Sequence, residues 1–158
     1  MPAIRIIKAM HMAPGMDRHE VDRFLAESKT PLRLATTNAK GEPNIHPVWY
    51  EYMNEKLYFM SNTDAAKIRN IKHSKTIYFS IDTDAMPNTG VKGRGTATII
   101  KDTSKALLIS EKIVGKYLGD ISGKMAKAMI DEVRKGSELL VEIIPHFFSV
   151  WDYTKSKL

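Results

Sequence analysis

Hydroxyl, amide and ammonium groups lie together where a predicted strand meets a predicted helix. The strand LYFMSN and the start of the next helix place these groups on Ser61, Asn62, Thr63 and Lys67. Free backbone N–H groups at a helix start, with hydroxyls and a lysine, favour the binding of a phosphate. The aromatic-ended strand HPVWY supplies a flat surface for a ring. The sequence therefore predicts a phosphorylated planar ligand such as a flavin.

Each of these residues also has an ordinary structural interpretation. Lys67 is then a solvated helix lysine, and Ser61 and Thr63 cap the helix with the donors that a phosphate would use. Trp49 and Tyr50 are then core residues of an aromatic-rich strand. The position of Lys67 directly after the polar residues favours the phosphate interpretation. For Trp49 and Tyr50, the sequence does not decide between a place in the core and a place in the ligand site.

The histidines predict neither a catalytic group nor a metal site. His46 carries a group that titrates near neutrality, but no carboxylate partner is identifiable in the sequence, so no catalytic residue is assigned. Because the chain has no cysteine, disulfides and thiolate metal sites are excluded. Metal-ligand spacing is also missing among the five histidines, which are His11, His19, His46, His73 and His146.

The composition is that of an ordinary globular protein with one domain. The chain has 158 residues, of which 43% are hydrophobic and 27% are charged. No apolar run reaches the roughly 18 residues that span a bilayer. Since the N-terminal segment also lacks a clear secretory core, we expect a cytoplasmic protein without a membrane partner.

The net charge of +6 is compatible with nucleic-acid binding. However, the basic residues are scattered over several segments, and no aromatic-and-basic strand motif of the RNA-binding type is present. An anionic small molecule and solvated lysines account for the charge at least as well. We therefore expect a small-molecule substrate and no nucleic-acid partner.

The hydrophobic pattern divides the chain into an N-terminal arm, residues 1–16, and one domain, residues 17–158. The arm is irregular or contains a short edge strand. Asp17 is typical of a helix N-cap, and its helix should end near Ser28, before Pro31. Strands are predicted at residues 32–37, 45–53, 57–62, 76–82, 91–101 and 138–153. Further helices are predicted at residues 64–73, 104–117 and 122–135.

This order of elements predicts an α+β fold built on a six-stranded antiparallel barrel. Successive antiparallel strands with tight turns form a meander, and a closed barrel leaves no free strand edge. The helices are expected to pack on its ends. Gly93 and Gly95 predict a bulge or a sharp barrel corner in the fifth strand, and Pro145 predicts a break in the last strand.

The stretch RLATTNAKGEPNIHPVWYEYMNEKLYFMSNTDAAKIRNIKHSKTIYFSID resembles the flavin-binding split-barrel family. That family includes the pyridoxamine 5′-phosphate oxidases and related reductases that use a deazaflavin coenzyme. GVKGRGTATII is similar to the family's fifth strand, and VEIIPHFFSVWDYTK to its closing strand. The resemblance implies a Greek-key split barrel and a homodimer with two flavin sites at the subunit interface.

The resemblance also implies which residues hold the cofactor. The second strand would lie along the ring, the end of the third strand and the following helix would hold the phosphate, and Asn70 would steady that loop. Trp151 would approach the ring edge from the partner chain. The implied cofactor-binding residues are His46, Pro47, Val48, Trp49, Tyr50, Met60, Ser61, Asn62, Thr63, Lys67, Asn70 and Trp151.

Two differences from the oxidases bear on the expected function. The oxidases have an Arg-Lys pair where this chain has Ala66 and Lys67, and the C-terminal arginine motif that grips pyridoxal phosphate is absent. The resemblance therefore implies an oxidoreductase that binds flavin mononucleotide (FMN), with hydride or electron transfer at the flavin and no assigned substrate. The alternatives are a deazaflavin-dependent reductase and a non-catalytic flavin-binding protein.

Overall fold

The computed structural model describes residues 3–157, which form eight strands, four α-helices and a C-terminal 3-10 turn. None of the helices in this range has the length and apolar content that crossing a bilayer requires. The strands are β1 (Arg5–Lys8), β2 (Leu32–Thr37), β3 (Pro43–Val48), β4 (Tyr50–Met53), β5 (Lys56–Asn62), β6 (Thr76–Asp82), β7 (Thr89–Ile99) and β8 (Glu138–Asp152). The helices are α1 (Arg18–Glu27), α2 (Ala66–His73), α3 (Thr103–Leu118) and α4 (Lys124–Lys135).

The strands form one curled sheet in the order β3-β2-β6-β7-β8-β5-β4, with β1 paired to β8 outside this path. All pairs are antiparallel except β1 with β8, which is parallel. The end strands β3 and β4 are consecutive in the chain and are separated only by Trp49. The sheet therefore curls until its two ends approach each other. The predicted α+β class is confirmed.

The strand count differs from the six that the sequence predicts. The predicted second strand, residues 45–53, is divided at Trp49 into β3 and β4. Residues 5–8 form β1. Of the two alternatives predicted for the N-terminal arm, the short edge strand is therefore the one present. Val48, Tyr50 and Tyr52 of this predicted strand alternate in the sequence and are all buried.

Helix α1 begins as the sequence predicts, with a reciprocal capping box. The Asp17 carboxylate accepts from the Glu20 backbone N–H at 2.9 Å, and the Glu20 carboxylate accepts from the Asp17 N–H at 2.8 Å. The helix buries Val21 and Leu25 against the interior of the sheet. The Tyr50 hydroxyl donates to the Leu25 carbonyl at 2.7 Å, which ties the end of α1 to β4.

The long pair β7–β8 contains a bulge at Gly95, with its extra residue on β8 and not on the predicted fifth strand, and it does not contain the predicted break. The register shifts between Arg94 and Gly95, which pair with Phe147 and Pro145, so His146 is the extra residue. Proline has no N–H to donate, and a bulge removes the need for that hydrogen bond. The predicted break at Pro145 is therefore wrong, because β8 continues through this residue from Glu138 to Asp152.

Two layers of apolar packing position the helices. The inner face of the sheet encloses the main core, which includes Leu34, Phe59 and Phe148. A second cluster lies on the outer face of β5 and β8, where Tyr58 and Leu140 pack against α3 and α4. These two strands are buried on both faces, so α3 and α4 cover a side of the sheet in addition to its end.

The close approach of β7 and β8 gives a stability prediction at Gly93. A Cβ there would overlap the Phe147 carbonyl oxygen and would lie 2.7 Å from the Phe79 ring. We expect Gly93→Ala to lower the free energy of unfolding by about 1–3 kcal/mol or more in chemical denaturation. The control is Gly115→Ala in α3, where the nearest atom would lie 3.4 Å away. This control should gain about 0.5–1 kcal/mol, and equal stabilities of the two variants would contradict the packing described.

Candidate functional site

A cavity of about 250 Å³ lies where the end of β3, the end of β5, the start of α2 and the start of β8 meet α3 and α4. Its lining is polar at the α2 side and apolar at the α3 and α4 side. It is lined by His46, Pro47, Val48, Trp49, Met60, Ser61, Lys67, Ile113, Met129 and Glu138. The structure thus brings together the first seven of these, all of which the sequence singles out.

The start of α2 offers free donors beside this cavity. The N-cap residue is Ala65, whose side chain cannot cap the helix. Within residues 3–157, the backbone N–H groups of Ala66 and Lys67 donate to no other group. Ser61 and Thr63 do not cap the helix either: the Ser61 hydroxyl donates to the Asn62 carbonyl at 3.3 Å, and the Thr63 N–H donates to the Ser137 carbonyl at 3.0 Å. The helix start keeps the positive end of its dipole unsatisfied.

Lys67 is half-buried and forms no ion pair or hydrogen bond through its side chain with any residue from 3 to 157. Burial lowers the pKa of Lys67 below its ordinary value, and the charge of Glu138 offsets this only in part. A lysine that loses water without gaining an anion at contact distance is electrostatically unsatisfied. The site therefore has capacity for a bound anion.

Glu138 is the carboxyl group of this cavity, and sequence reasoning missed it. Burial raises its pKa, Lys67 opposes that rise, and Glu132 adds to it. Glu138 begins β8 and pairs with Asn62 at the end of β5, a residue 76 positions earlier in the chain. No local sequence signal indicates this pairing, and the same holds for the contributions of Ile113 and Met129 to the cavity wall.

His46 faces the same cavity from the exposed strand β3. Loss of water around the ring lowers the pKa of His46, and the positive charge of Lys67 lowers it further. The neutral imidazole is therefore favoured near neutral pH. Glu138 lines the same cavity, but it forms no hydrogen bond or ion pair with His46.

Four of the predicted site residues lie near the cavity but do not line it. Tyr50 is fully buried in the core, and its hydroxyl donates a hydrogen bond to the Leu25 carbonyl. Asn62 is exposed, and its side chain accepts from the Asp64 N–H at 2.9 Å. Thr63 bonds to Ser137 through its backbone. The buried Asn70 amide donates to the Thr36 hydroxyl at 2.9 Å, which fixes α2 to β2.

Trp151 lies on a different cavity, of about 270 Å³, together with Ala9, Met10, Lys92 and Tyr153. Its ring covers Gly90, where a Cβ would overlap the indole, and its N–H donates to the Asn88 side chain. Within one chain, the structure therefore does not bring Trp151 to the residues around Lys67.

The sequence profile of the pyridoxamine 5′-phosphate oxidase family matches residues 18–145. The chain belongs to this family. The matched segment contains every residue that lines the Lys67 cavity and excludes Trp151. The resemblance stated from the sequence is thus confirmed at the level of the family. No curated protein has a sequence that matches the chain significantly.

Solved structures agree with family membership. A conserved hypothetical protein from Mycobacterium tuberculosis has a TM-score of 0.77 and 21% identity over 90% of this chain and 89% of that one. An F420 reductase has a TM-score of 0.63 and 25% identity over 79% and 93% of the two chains. An FAD-binding protein from Mesorhizobium loti has a TM-score of 0.60 and 17% identity over 88% and 96%. The first and third likenesses show the fold alone.

The coupling between Lys67 and His46 can be tested in this member of the family without any ligand. We expect Lys67→Met to raise the pKa of His46 towards its ordinary value, because the substitution removes a nearby positive charge. The measurement is the NMR titration of the His46 ring protons. The control is Lys72→Met, which removes an exposed lysine of the same helix that does not line the cavity. An unchanged His46 midpoint in Lys67→Met would show that the two side chains do not share the cavity.

Proposed function

We propose that this chain is a cytoplasmic, homodimeric oxidoreductase that binds FMN in the Lys67 cavity and acts on a small-molecule substrate. The observation that carries the proposal is the half-buried Lys67 ammonium beside the first N–H groups of α2, none of which has a partner in the described part of the chain. A phosphate is the group that satisfies both at once.

The donors at this end of the cavity fit a phosphate group. Lys67 supplies a charge and a backbone N–H, and Ser61 supplies a hydroxyl. The N–H of Ala66, a residue that lines another cavity along α2 and β3, is a further free donor at the helix start. The Arg-Lys pair of the oxidases is reduced here to Lys67 alone, and the Arg69 guanidinium donates to the Asp64 carbonyl. Lys67 should therefore carry a larger share of the phosphate affinity than it would in a two-cation site.

The remainder of the cavity fits a planar heterocycle. Val48, Trp49, Met60, Ile113 and Met129 form its apolar lining. Apolar and aromatic walls with a few convergent polar groups are typical of cofactor pockets. In the proposal these side chains hold one face of the ring, exclude water from it and leave the other face open to substrate.

A bound flavin supplies the hydride or electron transfer, and the protein supplies position and electrostatics. Lys67 and the start of α2 anchor the phosphate, which fixes the depth of the ring. His46 and Glu138 are the titratable groups on the wall of the same cavity. Neither is assigned a catalytic role in the proposal.

Two alternatives concern the cofactor and the chemistry. The F420 reductase, 25% identical over most of its length, supports a deazaflavin in place of FMN. A non-catalytic flavin-binding protein would use the same anchor without a substrate. Absorption spectra with FMN and with a deazaflavin separate the cofactors. Anaerobic reduction, followed by reoxidation with candidate acceptors, separates an enzyme from a binding protein.

The homodimer is proposed because one chain supplies only part of a site. The cavity of about 250 Å³ is smaller than the usual 300–1,000 Å³ of ligand pockets. Strand β3 borders it and is exposed from Pro43 to Pro47, with Ile45 68% exposed. A second copy that covers β3 would enlarge the site and bury this strand. It would also offer Trp151 and Lys92 from the partner's own second cavity.

The phosphate anchor is tested with Lys67→Met. Removal of one partner from a charge-assisted hydrogen bond costs about 1.5–3 kcal/mol, so FMN affinity should fall on the order of 10- to 150-fold. The measurement is fluorescence titration of FMN with purified protein, and Lys72→Met should bind like the wild type. Equal affinity of Lys67→Met and the wild type would refute the anchor. Flat wild-type titrations with both FMN and a deazaflavin would refute the function.

The proposed interface is tested with Ile45→Arg. A charge in the centre of the covered strand should convert the dimer to a monomer in sedimentation velocity, because an unpaired buried charge is strongly unfavourable. The same variant should lose FMN affinity. Leu108→Arg on α3, at a side chain that is 57% exposed, should stay dimeric. A wild-type protein that binds FMN as a monomer would overturn the homodimer.

A further inference from the structure

Trp49 is the residue of the cavity wall that the sheet itself does not hold. Val48 is the last residue of β3 in the pairing with β2, and Tyr50 is the first residue of β4 in the pairing with β5. Trp49 lies between the two ladders and belongs to neither. The indole that faces the cavity therefore needs support from outside the sheet.

Helix α3 gives that support through Tyr117. The rings of Trp49 and Tyr117 are stacked, with centroids 4.9 Å apart and planes inclined by 1°. The Tyr117 hydroxyl also accepts from the Tyr50 backbone N–H at 3.4 Å. One side chain thus contacts both the unpaired tryptophan and the first residue of the next strand.

The last turn of α3 is fixed at this point by a second contact. The Lys116 ammonium lies 3.9 Å from the centre of the Tyr50 ring and 5.6 Å from that of Tyr117. Its nitrogen is buried and has no hydrogen-bond partner in residues 3–157. A cation over an aromatic face is attracted to it, more strongly where water is excluded. Lys116 therefore also holds the last turn of α3 against Tyr50 beside the strand break.

We propose that Tyr117 is a positioning residue for the cofactor ring, which it controls by fixing the indole of Trp49 in the cavity wall. The proposal rests on the proposed function, because the ring is that of the flavin or deazaflavin. It also gives α3 and α4 a role, since Ile113 and Met129 complete the wall that Trp49 begins. The two helices are then part of the ligand site, and their side chains help to determine which ring the site accepts.

The experiment separates positioning from ordinary packing with three variants. Tyr117→Leu removes the stack, Tyr117→Met removes it with a side chain that adapts its shape, and Tyr117→Phe keeps it. The packing control is Ile109→Val, because Ile109 is buried in the same cluster but does not line the cavity. All variants are first compared by circular dichroism and thermal unfolding.

The first measurement is the emission of Trp49 without ligand. The chain has two tryptophans, so the variants are made with Trp151→Phe, which leaves Trp49 as the reporter. Tyr117→Leu and Tyr117→Met should shift Trp49 emission to longer wavelength and increase its quenching by acrylamide. Tyr117→Phe and Ile109→Val should leave both properties unchanged.

The second measurement is FMN affinity with Trp151 intact. Without the stack, the Trp49 indole must be ordered when FMN binds, which costs up to about 0.5–1.5 kcal/mol, the contribution of an aromatic pair beyond its buried area. Binding should therefore weaken about two- to twelvefold. Tyr117→Phe and Ile109→Val should stay within about twofold of the wild type.

Three outcomes would overturn the positioning role. The first is that Tyr117→Leu and Tyr117→Met fold and keep wild-type emission and FMN affinity. The second is that Ile109→Val loses as much FMN affinity as these two variants. The third is that neither Tyr117→Leu nor Tyr117→Met folds. A wild-type protein that binds neither FMN nor a deazaflavin refutes the proposed function instead. In that case the emission experiment still tests whether Tyr117 orients Trp49.

Discussion

The break in hydrogen bonding at Trp49 is the constraint on which the rest of the structure depends. Strands β3 and β4 occupy the two ends of the sheet, although one residue separates them in the chain. A sheet can satisfy that connection only by curling until its ends approach. The same break frees one aromatic side chain from both ladders. The cavity forms there because regular pairing stops and no strand fills the space.

Charge and exposure give this cavity its character. Lys67 and Glu138 line the cavity without forming an ion pair. Burial lowers the pKa of Lys67 and raises the pKa of Glu138, so in both residues it favours the neutral form. A protein that needed only stability would gain by pairing or replacing these groups. The neighbouring strand β3 is exposed on both faces from Pro43 to Pro47, and this stretch includes the apolar side chain of Ile45. The unpaired charge and the exposed apolar surface lie next to each other. A bound anionic ligand would pair with the charge, and a second copy of the chain would cover the surface.

Local sequence signals were sufficient for most elements. Asp17 and Glu20 form the predicted helix start, and the alternation in residues 32–37 and 76–82 gives β2 and β6 with the expected bounds. The errors came from pairing between distant segments. Pro145 was expected to break the last strand, but the bulge opposite Gly95 accommodates it. Bulges depend on the register of two strands, and one strand's sequence does not contain that register.

The sequence by itself determined the family, the α+β class and the position of Lys67 at the start of a helix after a strand, because these depend on short-range pattern and order. Only the tertiary structure decided what surrounds Lys67. Glu138, Met129 and Tyr117 reach the cavity region from elements that begin more than 30 residues later in the chain. Their place follows from the packing of α3 and α4 on the outer face of β5 and β8. That packing is decided by the shape and burial of the whole sheet, which no single segment encodes.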